Sequence, residues 1–368
     1  MPELQNEAVL MEKTETNTLF SEVCDIIRSV PVAPDSFLDI DVMLDRLDEI
    51  ARTYDRDFER VRELEDLMLG EHDDAFGARL TDIFVQWESG GGGPSLPALL
   101  FFALEKFEID MSPAGAQSAF LAAALAEYPN DMQYHGNEHY RKVLFHAIRL
   151  IATHNRIHQG TDRILDESQI FVLLVASCIH DLGHTGGDNL RDGVYAPGKL
   201  EQHSFDLARP YLEAVGLDEE TLGDIETIVF CTDITFFAGD NSPCVRMKKI
   251  YRYYFWQDER EDVSMMMMGK LRRFEDHPAL VLMAMILHEA DIATSAGLSY
   301  EQTIRETVNI MEERGITNAG PATVLAFLRE QLGETMYTEA ARQLYGKVMT
   351  DVIHRAEQDI AQGRDTFA

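Results

Sequence analysis

Residues 170–184 read Ile170-Phe171-Val172-Leu173-Leu174-Val175-Ala176-Ser177-Cys178-Ile179-His180-Asp181-Leu182-Gly183-His184. The apolar run is long enough for a helix buried on every side, and it delivers an imidazole and a carboxylate, His180 and Asp181, at its end. Buried ionisable groups need a partner, and a metal ion is the strongest one available. His180 and His184 are four residues apart, so on a helix they share one face. Asp181, with two oxygens, is suited to bridge two ions. The rest of the chain agrees with a helical reading. Apolar residues recur at three- and four-residue spacing in 41–54 (DVMLDRLDEIARTY), 141–157 (RKVLFHAIRLIATHNRI) and 306–315 (ETVNIMEERG). Period-two alternation is scarce, and no internal repeat or parallel-sheet fingerprint is found. The expected fold is all-α: a compact multi-helix domain with a metal pocket between helices.

Composition narrows the function. The chain has 368 residues, 45% of them hydrophobic, which suffices for a large buried core. Lys and Arg number 32 against 64 Asp and Glu, a net charge of −32. So acidic a surface excludes nucleic-acid and anionic-membrane binding as expectations, since both need a basic stripe. It also repels an anionic substrate unless the site is locally positive, as bound divalent metals would make it. Cys24, Cys178, Cys231 and Cys244 form no CxxC pair, so a reducing, cytoplasmic setting is expected. The first residues lack the apolar core of a signal peptide. No apolar run reaches the roughly 18 residues needed to cross a bilayer. Glu88-Ser89-Gly90-Gly91-Gly92-Gly93-Pro94-Ser95 is the strongest linker signal. It divides the chain into an N-terminal helical region of unknown role (1–88, frayed over its first 15 or so residues), a Gly-rich linker or loop (89–95) and the catalytic domain (96–368). A homo-oligomer is left open.

Two further segments carry ligand-type residues. Tyr134-His135-Gly136-Asn137-Glu138-His139 again has histidines at i, i+4, and Leu287-His288-Glu289-Ala290-Asp291 ends the apolar stretch VLMAMIL with a carboxylate. His139, His180, Asp181 and Asp291 together reproduce the H…HD…D pattern of the HD superfamily. Nitrogen and oxygen donors of this kind suit Zn²⁺, Fe²⁺ or Mn²⁺ at a tight site. A second, water-rich Mg²⁺ or Mn²⁺ can share Asp181. Such a pair neutralises a phosphodiester and makes hydroxide available near neutral pH, while a histidine protonates the departing oxygen.

Five motifs, in order from Tyr134 to Asp291, resemble those of class I cyclic nucleotide phosphodiesterases. YHNxxH is similar to Tyr134–His139, and HDxxHxGxxN to His180–Asn189. LEnHH is similar to Leu200-Glu201-Gln202-His203-Ser204, TDM to Thr232-Asp233-Ile234, and HxxD to His288–Asp291. The resemblance implies metal-dependent hydrolysis of cAMP or cGMP to the 5′-monophosphate. An HD-type phosphohydrolase acting on another nucleotide or phosphate ester is the alternative. It implies His135 as general acid and His139, His180, Asp181 and Asp291 as ligands of the tight metal. His184 and Glu201 would orient the second metal's waters and the hydroxide. Asn189 and Asp233 would support from behind, and Tyr134 would contact substrate.

The sequence also departs from the family. Gly136 replaces an asparagine, Lys142 an aspartate, and His203-Ser204 a His-His pair. For the family's purine-binding glutamine, with its phenylalanine clamp three residues on, the best candidate is Gln343; its clamp position is Gly346, which cannot clamp, and Tyr345 is the nearest aromatic. Met265–Met268, Phe236-Phe237 and the aromatics of 251–256 read chiefly as core. His146, His154 and His158 read as non-ligands.

Overall fold

The helix that carries His180 begins where a capping box predicts. Asp166 accepts a hydrogen bond from the Gln169 amide, and the Gln169 side chain accepts one from the Asp166 amide. From there Glu167–Ile179 runs through the centre of the molecule, enclosed by helices Pro113–Leu125, Asn137–Ile157, Glu219–Phe230 and Pro278–Gly297. Its aliphatic side chains are buried, each contributing roughly 1.5–3 kcal/mol of transfer free energy. The computed structural model describes residues 13–31, 38–71, 75–110, 112–235, 237–258 and 262–367. The frayed start expected from sequence falls mainly outside these, as does Phe236. Among the described residues there are sixteen α-helices and one antiparallel hairpin, Leu190–Arg191 with Val194–Tyr195, so the fold is all-α.

Two expectations change. Against the expectation of no segment able to cross a bilayer, Pro278–Gly297 is a 20-residue helix apolar enough to do so by length and composition. It is 89% buried inside the fold and carries His288, Glu289 and Asp291, so its apolar surface is covered by protein.

The stretch 89–95 does not separate two bodies. Helix Phe76–Gln86 continues as a π-helical turn through Trp87–Gly91. The following residues thread through shared packing: Arg60 donates to the Gly92 carbonyl (2.7 Å), Arg141 to that of Pro94 (3.0 Å), and the Leu96 amide to Glu127 (2.7 Å). A Cβ on Gly93 would lie 2.6 Å from Cδ of Arg141, so close approach, rather than flexibility, uses that glycine. Helices Lys13–Ser29 and Ile40–Arg62 pack on Pro113–Leu125 and Leu96–Lys106, and one continuous hydrophobic cluster spans both sides.

Candidate metal centre and active site

Two helix ends and the interior of a third helix meet at one point. His139 stands in the first turn of Asn137–Ile157, His180 and Asp181 follow the last turn of Glu167–Ile179, and Asp291 lies on Pro278–Gly297. Each of the four offers a donor atom, and these atoms all lie within 4.8 Å of one another. His139 Nε2 is 3.4 Å from His180 Nε2, 3.3 Å from Asp181 Oδ2 and 3.1 Å from Asp291 Oδ1. Tetrahedral bonds of about 2.0–2.1 Å, as zinc makes to His and carboxylate, place neighbouring ligand atoms about 3.3 Å apart. The spacing therefore fits one shared cation. Burial opposes charge on His139, yet hydrogen bonding to Asp181 and Asp291 outweighs it and pushes the imidazole up to about 10. His180 is also raised against its burial, chiefly by Asp181. Two imidazoles facing nitrogen to nitrogen cannot both carry a proton there comfortably, and a cation would serve both carboxylates instead. His180 Nδ1 donates to the Ser177 carbonyl (3.0 Å), which leaves Nε2 as the ligand atom.

The two carboxylates of the cluster, Asp181 and Asp291, line a cavity of about 400 Å³. His184 lines it, with its ring stacked on His135 at 3.8 Å; burial and then the His135 charge bring His184 down to about 4, so it stays neutral. Glu201 also lines it. Burial and then Asp233 push its carboxyl well up, and its Oε2 has no hydrogen-bond partner among the described residues. Asn189 joins this pair of walls, donating to Glu201 Oε1 (3.2 Å) and accepting from the Leu200 amide (2.8 Å). Asp233 accepts from the Tyr195 hydroxyl (2.7 Å) and the Gly198 amide (2.9 Å). Tyr134 lines the cavity with its hydroxyl 3.1 Å from Ser295 Oγ.

Sequence reasoning missed Glu313. Its Oε2 lies 2.7 Å from His135 Nδ1, and its Oε1 accepts from the main-chain amides of both Tyr134 and His135 (the latter 2.9 Å). Burial opposes its charge, but these hydrogen bonds outweigh it and hold the carboxyl below the usual glutamate range. The ring's Nε2 has no hydrogen-bond partner among the described residues. Asn130 was also missed: its Nδ2 donates to the carbonyls of His135 (2.8 Å) and, more weakly, His184 (3.4 Å), tying the two histidine loops together. At Gly136 a Cβ would fall 2.3 Å from the Met132 carbonyl oxygen, which accounts for glycine there. Lys142 sits between Glu306 (2.8 Å) and Glu88, so it neutralises a carboxylate of the cavity wall.

Other nominated residues lie elsewhere. Gln343 is exposed and does not line the cavity, because the buried face of its turn is taken by Ala341, Leu344 and Tyr345. Tyr345 is a core residue, its hydroxyl 2.8 Å from His146 Nδ1. Thr323, Ala326, Phe327 and Gln331 line the cavity instead. His203 is exposed and lines a separate groove. His146, His154 and His158 are not in the ligand cluster. Met265 and Met268 are exposed, and Phe237, 71% exposed, stands at the cavity's edge rather than in the core.

No family model and no curated protein matches the chain. Among solved structures the chain is similar to that of LmjPDEB1 (a Leishmania PDEB1) in complex with IBMX. The identity is 16%, 93% of this chain and 98% of that chain are covered, and the TM-score is 0.49.

Proposed function

We propose that the chain is a metal-dependent phosphohydrolase that opens a 3′,5′-cyclic nucleotide, cAMP or cGMP, to the 5′-monophosphate. The observation that carries this reading is the four-donor cluster of His139, His180, Asp181 and Asp291, whose two carboxylates line the cavity that also holds the His135–Glu313 pair. The donor set suits Zn²⁺, Fe²⁺ or Mn²⁺, with Mg²⁺ or Mn²⁺ sharing Asp181 at a second position. Divalent ions there would offset the phosphodiester's charge and make hydroxide available near neutral pH. Water, having released one proton to solvent, adds to phosphorus as hydroxide, the P–O3′ bond breaks, and the departing O3′ takes a proton from His135 Nε2, which solvent then restores. Glu313 holds the ring by Nδ1, so that Nε2 is the nitrogen that carries and delivers the proton. Neutral His184, stacked on His135, and Glu201, oriented by Asn189, would position water.

One observation favours the second reading, an HD-type phosphohydrolase acting on another nucleotide or phosphate ester. Gln343 is outside the cavity, so the residue nominated to recognise a purine does not do so. Hydrolysis of cAMP and cGMP by purified protein with Mn²⁺ or Mg²⁺, with and without chelator, tests the proposal. Chelator-sensitive release of the 5′-monophosphate, absent in Asp181→Ala, is expected. No turnover of either nucleotide by metal-loaded protein would move the activity to other phosphate esters.

A further inference from the structure

Seven carboxylates line the cavity beside the ligand cluster among the described residues, but only one lysine or arginine side chain does, Arg314. Most of the carboxylates are matched locally: Asp181 and Asp291 by the ligand histidines, Glu306 by Lys142 and Glu313 by His135. Asp233 is held by Tyr195 and the Gly198 amide, and Glu201 by Asn189. Asp188 is the exception. Its Oδ1 lies 3.8 Å from Arg314 Nη2, with the two side chains 58% and 37% exposed. That separation is too long for a hydrogen bond, and exposed ion pairs typically contribute only about 0–1 kcal/mol. The guanidinium is therefore loosely held and readily exchanged.

Its place in the fold gives it something to exchange for. Arg314 follows Glu313 at the end of helix Tyr300–Glu313, so it flanks the carboxylate that holds His135. Asp188 lines the same cavity from the loop after His184. Arg314 is the one lysine or arginine among the described lining residues with which an anion in this acidic cavity can pair. Guanidinium pairs with phosphate through two parallel N–H···O bonds, a stronger arrangement than the exposed Asp188 contact.

We propose that Arg314 anchors the substrate, its guanidinium leaving Asp188 to bind anionic phosphoryl oxygen. The inference rests on the phosphohydrolase reading for the identity of the anion. Arg314 caps its helix through its main-chain amide, bonded to the Ile310 and Met311 carbonyls, so changing the side chain leaves that helix end intact.

The test is titration calorimetry on full-length Mn²⁺-loaded protein with inorganic phosphate, 5′-AMP and adenosine 3′,5′-bisphosphate. Arg314→Ala is expected to weaken binding about 10- to 150-fold, the range for losing a hydrogen bond to a charged group. Arg314→Lys should recover part of this and retain the salt dependence that Arg314→Ala loses. Asp188→Asn, in an exposed loop, should tighten binding by freeing the guanidinium. Weakening of all three ligands would place Arg314 on the reacting phosphate, and weakening of the bisphosphate alone would place it on a second phosphate of the substrate. Unchanged affinity for every ligand in Arg314→Ala overturns the assignment, as does weaker binding in Asp188→Asn. These are binding measurements, so failure to hydrolyse cyclic nucleotides would sink the functional reading without touching Arg314.

Discussion

Replacing Glu313 by glutamine separates the proton-donor role of His135 from everything else the cavity does. In Glu313→Gln the amide carbonyl must face the main-chain amides of Tyr134 and His135, which Glu313 Oε1 now accepts from. That turns the new NH₂ group toward His135 Nδ1, at present 2.7 Å from a carboxylate oxygen. Two donors cannot pair, so Nδ1 must give up its proton and become the acceptor. The ring is then neutral, with its only proton on Nε2, and delivering that proton would leave an imidazolate. A hydrogen bond to a charged group contributes about 1.5–3 kcal/mol, or about 10- to 150-fold in rate. General acid catalysis as a whole, about 10²–10⁴-fold, sets the ceiling. The expected result is a fall in kcat of that order with little change in KM for cAMP or cGMP and full metal content. The deciding control is bis(p-nitrophenyl) phosphate, whose leaving group departs without needing a proton: Glu313→Gln should hydrolyse it at close to the parent rate. An equal loss on both substrates, or no loss on either, would refute the assignment of Glu313 and His135 to proton delivery.

Removing Asp181, whose Oδ2 is 3.3 Å from both ligand histidines, should abolish metal retention and activity together in Asp181→Ala; elemental analysis showing retained metal alongside full turnover would contradict the cluster's role. Gln343→Ala should leave kcat, KM and any preference between cAMP and cGMP unchanged, because the side chain is exposed outside the cavity; a shift in base preference would show that the cavity has been drawn wrongly. Glu127→Gln should cost about 3–5 kcal/mol in denaturant unfolding, the range for breaking a buried ion pair, since Glu127 takes Arg141 through both oxygens (2.8 and 2.7 Å) as well as Arg46. Burial raises the Glu127 carboxyl, but Arg141 and Arg46 outweigh it and hold it below its usual value. Its contribution is therefore present above the unfolded glutamate range and lost as pH falls through the lower folded value. Unfolding free energies measured against pH should converge for parent and Glu127→Gln in acid, and parallel curves would deny Glu127 that share of acid sensitivity.

What could be read in advance was local. A buried helix followed by His-Asp, a histidine pair at the start of a second helix and a carboxylate after an apolar run show in runs of a few residues, and the folded chain brings His139, His180, Asp181 and Asp291 to one point, Asp291 from the interior of its helix rather than from its end. What could not be read was pairwise and distant. Glu313 is separated from His135 by 178 residues and sits in EERG, which looks like the solvated end of a charged helix. Lys142 and Glu306, 164 residues apart, are likewise ordinary surface types until the fold buries them together. Gln343 is a different kind of miss, because a local signal was available. Ala340, Ala341, Leu344, Tyr345 and Met349 fall on one helical face, and that pattern turns residue 343 outward. The glycine run misled for a related reason: glycine marks backbone that must bend or pack closely, and composition alone does not say which. At Gly93 the answer is close packing against Arg141 and Trp87. The same limit governs charge. A net −32 reads as a solvated acidic surface, yet part of that acid lines the cavity, where few side-chain cations answer it. A cavity so built has little affinity for phosphate until metal ions enter, so substrate binding should depend on metal as strongly as catalysis does.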